Sequence, residues 1–493
     1  MHQVPRLTTI MIFTLLAAAC ASNQNGSERT PDELEVYGGR IAEVVQRIEE
    51  GADDEAELLS LLADLGVALA ARGQVEAAED ALDIVSSRFA RVSPEAEAVR
   101  LAITLTDGYA RLELNDNASF YLQEGLRRAG ALEDDSLEAA LLVELVLTAA
   151  RGEGVFADDI RAILDQIILL EDPTLRSDSL LSVADVLSRR EVEVDVGNLL
   201  QQAIPATAQI QGSYLQAGRY ATIASLFRQL GERAASGNAE QKSVTLVLQS
   251  QEPVTEVGEL EALSTLLAYL RERGLLGDAL RIAERIPLDS QRALEEARIA
   301  WEAFERGEEE RSVEIMESAL ELTEGPEATS AEFLAARGML ARLLVRLGRE
   351  ERAREVARDL AGELRDAPAN EAYRLAFVEL LLYRIAAGEV GRLAEVVELS
   401  ESADFRALLL VETARRGELA GEQRLQAGLL RQAAGEQPQG LSRETELRLV
   451  EELLERGLVN EARRVSEASP DPFVRAQGVI TLLRLAPDYS GPI

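Results

Sequence analysis

One short phrase recurs along the chain and limits what it can fold into. Arg72-Gly-Gln-Val-Glu-Ala-Ala78, Arg273-Gly-Leu-Leu-Gly-Asp-Ala279, Leu347-Gly-Arg-Glu-Glu-Arg-Ala353 and Arg456-Gly-Leu-Val-Asn-Glu-Ala462 are copies of it. Each has a glycine where the chain can turn and an alanine five residues later, where two helices can approach closely. Gly218, Gly307, Gly388 and Gly417 read as weaker copies. The steps from Gly274 to Gly307, Gly348, Gly388, Gly417 and Gly457 are 33, 41, 40, 29 and 40 residues, the size of a helical hairpin with helices of variable length. From Glu55 to Phe89 the apolar positions Leu58, Leu61, Leu62, Leu65 and Leu69, then Ala78, Leu82 and Val85, follow helical spacing on either side of Gly73. Start signals at Thr30-Pro31-Asp32-Glu33 and Ser93-Pro94-Glu95-Ala96 fit the same plan. No stretch alternates as a strand does; only Glu191 to Val196 is ambiguous. With aromatics at 4%, the core must be built from Leu, Ala, Val and Ile.

The first clear unit resembles the tetratricopeptide-repeat family: Leu65-Gly66, Leu69, Gly73, Ala78 and Leu82 stand at that family's relative spacings, and Tyr214, Gly218, Tyr220 and Phe227 follow the pattern. The resemblance covers about three-quarters of the chain after the leader, from Ala56 onward. It departs from the family in lacking the tryptophan near the start of each unit, most of the prolines between units and the usual 34-residue length; HEAT-like and other helical-pair solenoids stay open. The expected fold is an all-α, right-handed superhelical solenoid of roughly ten to twelve hairpins across residues 31–486, followed by a tail at 487–493. Breaks at Gln249 to Glu256, Glu324 to Ser330 and Gly435 to Ser442 read as long turns within one array or as sub-domain joints, the former preferred.

At the N-terminus, a short basic end leads into an apolar run from Leu7 to Ala19 that stops at Cys20, the only cysteine. Thirteen residues are too few to span a hydrocarbon core, which takes roughly 20 in a helix. Leu16-Ala-Ala-Ala-Cys20 resembles the lipobox of bacterial lipoproteins, with the leucine one place early. That resemblance implies a signal peptide at 1–19, a lipidated Cys20 with a flexible tether to residue 30, and, in the absence of Asp after Cys20, an outer-membrane anchor facing the periplasm. The alternative is an ordinary secretory cut after Ala19 that leaves Cys20 incidental. Apolar runs downstream, such as Ala139 to Val143 and Phe377 to Leu382, are interrupted by charge.

The chain carries a formal charge of −36, and loss of the leader removes Arg6 and no acid, leaving −37. Lys242 is the only lysine among 51 basic residues. So negative a field repels phosphate backbones and argues against nucleic acid as a partner. It fits either adaptation of the source organism or attraction of a basic partner.

Candidate chemistry is sparse. His2, the only histidine, lies in the leader, which removes Ser-His-Asp and Cys-His catalysis and histidine-containing zinc sites from the rest of the chain. There is no P-loop and no dinucleotide fingerprint, and no cofactor is expected. One enzyme class needs only a glutamate: the lytic transglycosylases, which cleave cell-wall glycan and can carry helical superstructures. The candidate pairs Glu317-Ser318 and Glu467-Ala468-Ser469 fall within repeat helices or at their ends, and the downstream segment of that family is missing.

Two features stand out. Counted back from Gly307 in the tetratricopeptide register, Trp301 and Phe304 fall where first helices line the concave groove; Trp301 is the only tryptophan. Arg337 to Arg358 holds seven arginines against three glutamates, and Arg342 and Arg346 take groove positions in the same register. Together these four residues form a candidate site for a protein partner or its peptide, with rings for apolar burial and guanidiniums for carboxylates. Against this stand core packing of the aromatics and pairing on the helix surface, Glu350 with Arg354 for example. The expected role is a non-catalytic envelope scaffold, held to the membrane by its lipid and binding envelope proteins.

Overall fold

A computed structural model describes residues 55–485 apart from 152–155, 191–193, 325–328, 369, 417–418, 420–421 and 437–439. Cys20, the leader, the tether, the start signal at Thr30, Gly417 and the 487–493 tail lie outside the described residues.

The described residues are α-helical, with short 3-10 turns such as Val390–Arg392 and no strand. Eleven hairpins and a final helix follow one another. They are α1 (Glu55–Ala71) with α2 (Val75–Phe89), α3 (Glu95–Arg111) with α4 (Asn115–Ala129), and α5 (Asp135–Ala149) with α6 (Ala157–Leu169). Next come α7 (Pro173–Leu187) with α8 (Val196–Gln209), α9 (Ser213–Gln229) with α10 (Arg233–Gln249), and α11 (Val257–Glu272) with α12 (Leu276–Ala283). They continue as α13 (Asp289–Glu305) with α14 (Glu309–Thr323), α15 (Ala331–Arg346) with α16 (Glu350–Asp366), and α17 (Glu371–Ala386) with α18 (Leu393–Val397). The series ends with α19 (Ala403–Arg415) and α20 (Gln423–Ala433), α21 (Arg443–Glu455) and α22 (Val459–Ala468), and α23 (Pro472–Leu485).

The recurring phrase is the hairpin turn. At Gly73, Gly274, Gly348 and Gly457 the backbone takes φ between +71° and +73°, and the next residue's N–H donates back to the first helix, as from Gln74 to the Leu69 carbonyl at 3.0 Å. This left-handed residue satisfies carbonyls that a helix end leaves open. Gly307 and Gly388 do the same. Gly218 does not: it lies inside α9, and the turn of that hairpin is Gly231, at φ +81°. A Cβ on Gly218 would stand 2.8 Å from the Cα and carbonyl oxygen of Ala262, so this glycine sets the approach of α9 to α11. In the α3–α4 turn the left-handed residue is Glu113, at φ 61°, which the glycine pattern missed. Five residues after the turn, Ala78, Ala279, Ala353 and Ala462 are fully buried. Ser236 and Ser312 fill the same position and donate to the carbonyls of Ala224 and Ala300 at 2.8 Å.

First helices within a unit are buried on more than one face, since they pack on their own second helix and on neighbouring first helices, as α15 does on α16, α13 and α17. Second helices bury a narrower stripe, Ala353, Ala357, Leu360 and Leu364 on α16 and Ala462, Val465 and Ser466 on α22.

The chain forms two compact units. Residues 171–188 and 195–436 make one of them, α7 to α20, in which α7, α9, α11, α13, α15, α17 and α19 pack in sequence as first helices. The other combines the described residues of 55–170 and 189–194 with those of 440–485. There α1, α3 and α5 pack in order, and the last described helix, α23, packs both on α21 and on α1. Of the three breaks named above, only Gly435 to Ser442 coincides with the division.

Candidate functional site

The four singled-out residues lie in the α7–α20 unit on two adjacent first helices, Trp301 and Phe304 on α13 and Arg342 and Arg346 on α15. Trp301 and Phe304 are half-buried. Arg342 is buried, with 5% of its side chain exposed. Its guanidinium carbon sits 4.4 Å from the centroid of the Trp301 ring, within cation–π range. Beyond it on α17 lies Glu379, with 2% of its side chain exposed and a carboxylate oxygen 3.2 Å from Arg342 Nη2. Indole, guanidinium and carboxylate thus form a row across three consecutive first helices. The helices can close over it because α15 has Gly338 there: a Cβ at that position would stand 2.6 Å from the Cβ of Glu379.

This corrects the expectation of two guanidiniums free for a partner's carboxylates. Burial without a counter-charge would be costly for Arg342, and Glu379 supplies that charge from within the fold. Arg346, one turn further on, is exposed and makes no hydrogen bond or ion pair among the described residues. The site therefore offers a half-buried indole against a buried ion pair and, one turn along α15 from that pair, one exposed cation.

The rest of the arginine run is mostly paired. Arg337 reaches Glu363 at 2.7 Å, Arg349 reaches Glu317 at 2.7 Å, and Arg354 reaches Glu350 at 2.9 Å, the helix-surface pairing anticipated from spacing. Arg352 lies 3.7 Å from Glu324. With Arg337, Asp359 and Glu363 it lines a cavity of about 320 Å³ between α14 and α16, so the cations facing that cavity are already balanced. Among the described residues no cluster of three or more Asp, Glu, His or Cys is placed to hold a metal.

The glutamate-serine pairs have structural surroundings. Ser318 donates to Glu296 at 2.9 Å while Glu317 faces Arg349, and Ser469 donates to Glu446 at 2.6 Å while Glu467 pairs with Arg463 at 2.8 Å. Tyr214, Tyr220 and Phe227 are core. Lys242, the only lysine, donates to the Tyr220 hydroxyl at 2.6 Å with its ammonium 4.3 Å from that ring's centroid.

Sequence reasoning missed Glu379. Its signal was the single acid inside the apolar run Phe377 to Leu382 of a first helix: such a charge is buried with its neighbours and must find a partner there.

No protein-family model matches the chain, and no curated protein matches it. Solved structures that it resembles include a Rap protein complexed with Competence and Sporulation Factor, at 15% identity, over 72% of this chain and 99% of that one, with a TM-score of 0.27. The apo quorum sensor NprR from B. thuringiensis matches at 11% identity, over 80% and 99% of the two chains, with a TM-score of 0.24. A STAND signal-transduction ATPase with a tetratricopeptide-repeat sensor, from Pyrococcus horikoshii, matches at 12% identity, over 97% and 73%, with a TM-score of 0.27. These are weak overall superpositions, and nothing about the ligands of this chain follows from them.

Proposed function

We propose that this protein is a non-catalytic scaffold of the bacterial envelope, anchored through a lipid on Cys20 and binding protein partners on the first-helix face that carries Trp301, Phe304 and Arg346. The observation that carries the binding part is the row Trp301, Arg342, Glu379. A half-exposed indole backed by a buried ion pair is held before any partner arrives, so little side-chain entropy is lost on contact. Arg346 beside it supplies a charge-assisted contact for a carboxylate and fixes a bound segment's direction. The anchor rests on the leader and Cys20.

Two assays test the reading. Wild type should incorporate labelled fatty acid and sediment with membranes, and Cys20→Ala should do neither; an unlabelled, fully soluble wild type contradicts the anchor. From detergent-solubilised envelope, wild type should retain a partner that Trp301→Ala loses, and the purified protein should release no muropeptides from cell wall. Muropeptide release abolished by a single glutamate substitution would make the protein a glycan-cleaving enzyme instead.

A further inference from the structure

Helix α1 is the first described helix of its unit, yet its outer flank is covered by α23, the last one. Two polar ties cross that contact and one more joins α21 to α1. Arg72 Nε donates to the Leu483 carbonyl at 2.7 Å, Arg443 of α21 reaches Glu57 at 3.2 Å, and Gln477 Nε2 lies 3.5 Å from an Asp64 carboxylate oxygen. The Gln477 tie is incomplete: Gln477 Oε1 is buried and has no hydrogen-bond donor among the described residues. An ionised Asp64 can only accept, so it leaves that oxygen unsatisfied, and an unmatched buried acceptor is costly. A neutral Asp64 carries the O–H that Gln477 Oε1 lacks.

We propose that the α1–α23 contact is a proton-operated latch, in which Asp64 takes up a proton from solvent as the helices close, keeps it while its O–H donates a hydrogen bond to Gln477 Oε1, and releases it to solvent when they part. The other groups around Asp64 are consistent with this. Arg484 of α23 favours the charged form, Asp107 of α3 opposes it, and α2 meets α1 with the side chain of Leu82 at Gly66. Desolvation is the largest influence and outweighs the lowering by Gln477 and Arg484, so the carboxyl is pushed up from 3.8 to about 6. Because the closed form has the raised value, closure is strongest below about pH 4 and weakens as pH rises through about 6. Between pH 5 and pH 7.5 the closing equilibrium should fall about tenfold.

Hydrogen exchange on the full chain at pH 5 and pH 7.5, corrected for intrinsic rates, reads this directly, with α13 and α15 as internal reference. Protection of α23 should fall about tenfold from pH 5 to pH 7.5 while the reference stays constant. In Asp64→Asn, whose amide supplies the donor at any pH, α23 should keep its pH 5 protection at both values. Should that variant lose protection in the reference helices as well, Gln477→Glu carries the test: two facing carboxyls enlarge the pH-dependent fall beyond that of wild type. Equal α23 protection at both pH values in wild type, an undiminished fall in Asp64→Asn, or a fall in Gln477→Glu no larger than wild type's would overturn the latch.

Discussion

Arg342 was expected to face a partner in the groove and Glu379 was not singled out; instead the two form a buried pair whose stability depends on both being present. Removing one partner, as in Glu379→Gln, should cost about 3–5 kcal/mol in chemical denaturation, whereas the double change Arg342→Met with Glu379→Leu should recover most of that loss. Equal losses in the single and double variants would contradict the pairing. Trp301 is half-buried, so Trp301→Ala should cost only about 1–2 kcal/mol, from the lost stacking on Arg342. A loss of about 3–5 kcal/mol would make it a core residue. The register placed Trp301, Phe304, Arg342 and Arg346 on adjacent helices because position along a hairpin is local information. The partner of Arg342 was not legible, since Glu379 comes from the next repeat, 37 residues on, and only packing brings it near.

Elements were legible wherever a backbone requirement dictates residue type. Glycines at left-handed turns marked most hairpins, and the αL residue that is not a glycine, Glu113, escaped. Glu113→Gly should raise stability by about 1 kcal/mol, the cost of a side chain in that conformation; a fall in stability would contradict the strain. Glycines within helices have two different roles that composition cannot separate. Gly218→Ala forces a methyl to 2.8 Å from the backbone of Ala262 and should cost about 1–3 kcal/mol, while Gly362→Ala on α16 meets nothing within 4 Å and should gain about 1 kcal/mol. Matching effects at the two positions would rule out close approach as the reason for Gly218. The contact of α23 with α1 had no signature in the sequence, because the groups that meet, such as Arg72 and Leu483, are 411 residues apart.

For the molecule as a whole, a net charge of −36 exceeds what the arginine pairs balance, so self-repulsion opposes folding. Added NaCl should therefore raise the melting temperature with no partner present, and a melting temperature that is flat or falling with salt would favour a basic partner as the reason for the charge. The helical-repeat plan repeats one first-helix face along the chain, and the proposal places recognition where a half-buried indole and an exposed cation lie on adjacent helices. Since Trp301 is the only tryptophan of the chain, its fluorescence reports on that face alone. The most direct measurement is therefore the emission of Trp301 during titration with the partner captured from the envelope. The emission should shift to shorter wavelength with saturation as the indole is covered, and the titration should weaken at least tenfold in Arg346→Glu. Saturable binding seen by an independent method, with the Trp301 emission unchanged, would place recognition elsewhere and contradict the proposed site.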